Sequence, residues 1–184
     1  MSMYLIVGLG NPGRRYCFSR HNIGFRMIDR LSQVYGIPID KEKFNAVYGK
    51  GFIHNVPVVL AKPMAYMNMS GPPTQQLAGY FDIDIMDVLV IHDDIDFPFG
   101  TIKFKEKGGH AGHNGVRSLI ESFGSGSFSR IRIGIGRPDS GEEVTDYVLG
   151  RFDPQQGAVL DEVVSREQKA VETIVLHRNI DDIN

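Results

Sequence analysis

The chain has 184 residues and a formal net charge of −2, with 42% hydrophobic and 23% charged residues. That is the make-up of a globular protein long enough to bury a substantial core. One cysteine, Cys17, excludes an internal disulfide framework and suits a reducing compartment. No basic leader precedes an apolar segment and no apolar run approaches ~18 residues, so a soluble, cytoplasmic protein with one domain over residues 1–184 is expected.

Tyr4–Val7 reads as a buried strand, followed by a helix over about Asn22–Tyr35, where Ile23, Met27, Ile28 and Leu31 recur at helical spacing. Ala46–Ile53 and Val56–Ala61 form two strands joined at His54-Asn55, a hairpin signal. A helix is expected from Ser70 to Phe81, since Ser-Gly-Pro-Pro suits a helix N-terminus. Val88–His92 has the continuous apolar character of a central strand, and Thr101–Lys105 alternates apolar with basic residues as a half-exposed strand does. A helix over Asn114–Phe123, a strand over Arg130–Ile135 and a last helix from Asp153-Pro154 to about His177 complete the pattern. Strands alternating with helices predict an α/β fold, a single domain with a mixed, largely parallel twisted sheet flanked by helices.

Charge is distributed unevenly. Asp82 to Asp96 holds six aspartates and no lysine or arginine, whereas Thr101 to Arg137 holds seven basic residues against two glutamates. A near-neutral protein can therefore still present a basic face to phosphates.

Gly8, Gly10 and Gly13 fit G-x-G-x-x-G after the first strand, the fingerprint of a dinucleotide site. The fingerprint needs a helix that opens within the glycines, and here the helical period begins only near Asn22. Asp29 has the spacing of the ribose-binding acid but falls inside that helix. His110 and His113, with Asp93 or Asp94, have a spacing that a metal could use, although a glycine-rich loop holds ligands loosely. Cys17 and His21 are candidates for a nucleophile–base pair. His54 and His177 stand in polar surroundings and read as surface residues. The pairs His21-Asn22, Met67-Asn68, His92-Asp93 and His113-Asn114 each lie at an element boundary, and such boundaries converge at the carboxyl end of a parallel sheet. Asn11, Asn68 and Asn114 sit in turns and offer a donor and an acceptor without charge, which suits a grip on peptide groups. Asparagine is also simply a good turn residue.

The stretches LGNPG (9–13), RHNIG (20–24), MNMSG (67–71), HDDIDFPFG (92–100), GGHAGHNG (108–115), RIRIGIGRP (130–138) and VTDYVLGRF (144–152) together resemble the bacterial-type peptidyl-tRNA hydrolases. The resemblance runs through nearly the whole chain in order. It implies a hydrolase that cleaves the ester between a peptide and the terminal ribose of tRNA, with peptidyl-tRNA as partner, no metal or organic cofactor, no membrane and a monomeric state. Carried onto matching positions, it implies that His21 is the base that activates water and Asp93 its orienting partner. It implies that Asn11, Asn68 and Asn114 bind the peptide main chain, with Tyr16 and Met67 lining the cleft and His113 shaping the GHNG loop. Lys105 and Arg132 would clamp the 5′ phosphate of the tRNA. Tyr66 and Met69 depart from the family's usual phenylalanine and leucine, and Phe99 and Ala111 are smaller departures; none is a proposed catalytic group.

Overall fold

The computed structural model describes residues 2–177. Seven strands form one sheet: β1 (Tyr4–Gly8), β2 (Lys41–Lys43), β3 (Ala46–Ile53), β4 (Val56–Pro63), β5 (Val88–Asp94), β6 (Ile102–Lys105) and β7 (Ser129–Gly134). Their order across the sheet is β2-β3-β4-β1-β5-β7-β6. The central four run parallel, and β2, β3 and β6 add antiparallel edges. Five helices accompany them: α1 (Ile23–Tyr35), α2 (Gly71–Tyr80), α3 (Asn114–Phe123), α4 (Val144–Leu149) and α5 (Pro154–His177).

β1 and β5 are buried at every position, as central parallel strands covered on both faces must be. Alternate residues feed two cores. Ile6, Ile91, Ile131 and Ile133 pack under α1 and α5, while Leu5, Val7, Val90 and Phe128 pack under α2 and α3. The hairpin between β3 and β4 turns at His54 and Asn55, both at positive φ (45° and 69°), the backbone that a two-residue hairpin turn requires. Pro72 and Pro73 occupy the first turn of α2, where a missing N–H costs nothing.

The first two glycines of the opening motif shape the packing of the helix that follows. A Cβ on Gly8 would lie 2.1 Å from the carbonyl oxygen of Gly24, so α1 settles directly on β1. A Cβ on Gly10 would strike the ring of Phe25. α1 does not open within the motif; it starts after a short 3₁₀ turn, Arg20–Asn22. Asp29 lies on α1 and is paired with Lys62.

Two elements are absent from the sequence expectations. β2 is a charged Lys-Glu-Lys edge with no apolar alternation, and α4 has only six residues, too few to establish a period. His54 is exposed over half its side chain beside Glu172; the side chain of His177 lies outside the described residues.

Candidate active site at the carboxyl end of the parallel strands

The four boundary pairs meet where parallel strands end. A cleft of about 420 Å³ is lined there by Asn11 after β1, Tyr66, Met67 and Asn68 after β4, Asp93 and Asp94 of β5, His21, and the loop His110–Asn114. Ile95 with Val144, Val148 and Leu149 of α4 supplies an apolar wall. That wall is tied to the turn carrying His21. Arg20 donates to the Tyr147 carbonyl at 3.1 Å, and its guanidinium lies 4.1 Å over the Tyr147 ring.

At the floor, Asp93 is 2% exposed and accepts from two histidines. His21 Nδ1 lies 2.7 and 2.8 Å from its two oxygens, and His113 Nε2 lies 3.0 Å from Oδ1. Neighbouring bonds settle the tautomers. His113 caps α3 by accepting from the backbone N–H groups of Gly115 and Val116 at Nδ1, so its proton is on Nε2 and is donated to Asp93. An ionised carboxylate can only accept, so His21 carries its proton on Nδ1 and keeps the Nε2 lone pair for the cleft. Burial alone would push the Asp93 carboxyl up, but His21 and His113, each directing an N–H at it, prevail and hold it well below the usual carboxylate range.

His92 lies beneath this pair. Its Nδ1 donates to the Asp93 carbonyl at 2.7 Å, and its ring meets His113 edge-on at 4.6 Å. Burial, followed by the nearby His113, pushes its pKa well below the usual imidazole value, so His92 is a neutral support. Gly115 permits close approach: a Cβ there would lie 2.5 Å from Met67 Sδ and 2.9 Å from a Leu9 methyl.

Asn11 is 7% exposed and held from both sides. The side chain of Asn22 accepts from the Asn11 backbone N–H at 2.8 Å and donates to its carbonyl at 2.9 Å. Asn11 Oδ1 accepts from the Met67 N–H at 2.7 Å, which leaves its amide N–H₂ to donate into the cleft. Asn68 and Asn114 stand exposed at the rim. Tyr16 is half-buried beside Arg15 and is not among the residues that line the cleft.

The histidine pair suggested by spacing does not form a metal set: His110 Nδ1 accepts from the Gly112 N–H instead. His21, Asp93 and His113 do bring three ligand-type atoms within 4.8 Å of one another. The separations of the two histidines from Asp93, 2.7 and 3.0 Å, are those of hydrogen bonds, shorter than the roughly 3.3 Å between ligands in a tetrahedron of ~2.0 Å metal bonds. Cys17 is exposed and its thiol donates to the Arg14 carbonyl, while His21 turns to Asp93, so no cysteine–histidine pair is made.

Lys105 and Arg132 lie on neighbouring strands beside the cleft. Arg132 Nε donates to Asp94 Oδ2 at 2.7 Å, and its guanidinium lies 4.7 Å from the Phe97 ring centre. Burial, then the charges of Arg130 and Arg132, lower the pKa of Lys105. Arg130 belongs to the same basic stretch but is 2% exposed and donates to the carbonyls of Gly108 and Gly109. It is a tie for the glycine loop, a role a count of charges cannot reveal. Asn22 was likewise hidden within its motif; only its place beside His21 hinted at it.

Residues 5–183 match the family model described as peptidyl-tRNA hydrolase. The chain is 47% identical over 170 residues to the peptidyl-tRNA hydrolase of Bacillus subtilis (strain 168), covering 92% of this chain and 90% of that protein. It is 47% identical over 173 residues to that of Geobacillus kaustophilus, covering 94% and 93%. The crystal structure of peptidyl-tRNA hydrolase from Acinetobacter baumannii superposes with a TM-score of 0.90 at 37% identity, over 96% of this chain and 90% of that one. The chain belongs to the peptidyl-tRNA hydrolase family.

Proposed function

We propose that this member of the family hydrolyses the ester joining a peptide to the terminal ribose of tRNA, with His21 and Asp93 activating the water. The observation that carries the mechanism is the pairing of His21 Nδ1 with a buried carboxylate that a second histidine keeps ionised. His21 Nε2 takes a proton from water as the oxygen attacks the ester carbonyl. The negative charge of Asp93 stabilises the imidazolium that forms. Collapse of the tetrahedral intermediate breaks the bond to the ribose oxygen, which recovers the proton from His21.

The amides of Asn11, Asn68 and Asn114 grip the peptide main chain, and Met67 lines the cleft. Neutral amides read no side chain, which fits a substrate of arbitrary sequence. Tyr16, outside the lining, serves at most the approach to it. Lys105 and Arg132 receive the tRNA 5′ phosphate: an anion there relieves the mutual repulsion of the basic group. Among the described residues no helix is long and apolar enough to cross a membrane, and we place the protein in the cytoplasm as a monomer. The test is release of peptide from peptidyl-tRNA with and without EDTA. Unchanged turnover is expected. Abolition by chelation with recovery on adding zinc would replace the dyad with a metal held by His21, Asp93 and His113.

A further inference from the structure

The order of strands gives the cleft a direction. Lys105 on β6 and Arg132 on β7 lie on one side of Asp93 on β5, and Asn11 after β1 and Tyr66 after β4 lie on the other. A substrate whose RNA meets the basic side therefore sends its peptide toward β1 and β4. A second groove, of about 560 Å³, opens there. It is continuous with the cleft: Tyr66 lines both, and Pro12 and Met69 of the groove directly follow Asn11 and Asn68 of the cleft. Phe44, Pro72 and Gln76 line its far side, and no charged residue lines it.

Its surface is unusually apolar for one open to water. Tyr66 is 64% exposed, Met69 53% and Phe44 37%, in one patch. Neighbouring apolar side chains exposed together mark an interaction surface.

We propose that this groove is a subsite for the upstream residues of the peptide, those beyond the one esterified to tRNA. The inference rests on the hydrolase reading above and extends it from the scissile residue to the chain behind it. An uncharged, broadly apolar groove offers nothing to a phosphodiester, whereas it buries aliphatic or aromatic side chains of any order and tolerates the backbone through Gln76 and Asn45. The enzyme thereby gains affinity for a longer peptide without selecting its sequence.

The test compares two substrates on the same tRNA with the same esterified residue. One is N-acetyl-aminoacyl-tRNA; the other carries a peptide of about four residues, spanning roughly 13 Å when extended. The wild-type protein should process the longer substrate with kcat/KM about ten-fold higher, an effect the size of a good interface contact. Met69→Asp places a charge in the groove at an exposed position and should abolish that advantage while changing the N-acetyl-aminoacyl rate less than about two-fold. Phe44→Asn, which tolerates the positive φ of 52° at that position, should reduce the advantage in the same way. Equal losses on both substrates would assign the groove to the tRNA body and overturn the proposal. So would wild-type cleavage of both substrates with the length advantage intact in the variants, and the hydrolase reading would survive that result. Wild-type protein that releases neither peptide would overturn both.

Discussion

Two buried carboxylates, at the end of β5 and in the middle of α5, face opposite fates. Asp93 is 2% exposed and surrounded by N–H donors, and it is held ionised. Glu167 is fully buried, and neither of its carboxylate oxygens has a hydrogen-bond partner. It sits in the apolar stripe of α5 between Val163 and Val164 on one side and Ala170 and Val171 on the other, packed with the core beneath α1. Burial raises its pKa well above the usual carboxylate value, and the charge of Arg166 only partly opposes this. Depth is the same in the two places; the supply of donors decides which carboxyl keeps its charge. A buried carboxylate does chemistry as an anion only where the fold has built partners around it.

The largest effect should come from removing the charge at the first of these sites. Asp93→Asn should lower kcat by at least ~10²-fold, because the imidazolium loses its counter-charge and the amide permits the wrong tautomer of His21. KM for peptidyl-tRNA should move little, and steady-state kinetics separates the two.

The matching change in α5 should leave turnover alone and raise stability. Glu167→Met replaces an unpaired polar group with an apolar one and should stabilise the protein by about 1–3 kcal/mol in urea unfolding at neutral pH. The pH courses differ in sign. The depressed pKa of Asp93 contributes stability that is complete above the ordinary carboxylate value of about 4 and is lost as pH falls below it. Glu167, raised, contributes stability that is complete below about 4 and is lost as pH climbs toward its folded value. The margin of Glu167→Gln over the wild type should therefore widen as pH rises from about 4 and then level off. A margin that narrowed with rising pH would mean that Glu167 is stabilised as an anion.

A half-buried cation offers the mildest contrast. Lys105→Ala should raise KM up to about ten-fold with kcat nearly unchanged, and should reduce the log–log salt slope by roughly 0.7–0.9. Arg132→Ala should do the same and in addition strip Asp94 of the cation it pairs with.

Every strand but β2 and every long helix was legible, the central strands as continuous apolar runs, β6 and β7 by their alternation and the helices by a period of 3.6, and only their ends shifted; β5, for example, runs on to Asp94. The meeting of His21, Asp93 and His113 followed from boundary positions in a parallel sheet. The tautomers did not, since they depend on two backbone N–H groups at the start of α3. Glu167 was passed over within a helix that reads as ordinary, although the spacing 163, 164, 167, 170, 171 marks it as a core position. Arg130 carries a charge that composition assigns to the surface, yet it is consumed by two carbonyls inside.

The central claim is that His21 and Asp93 act as one unit, and a double-mutant cycle on single-turnover cleavage of peptidyl-tRNA measures it. His21→Ala should cost at least ~10²-fold while the protein stays folded and binds tRNA. With the imidazole gone Asp93 has nothing to stabilise, so the double variant with Asp93→Asn should be within about two-fold of His21→Ala alone. Deficits of the two single variants that add in full in the double variant would contradict the account.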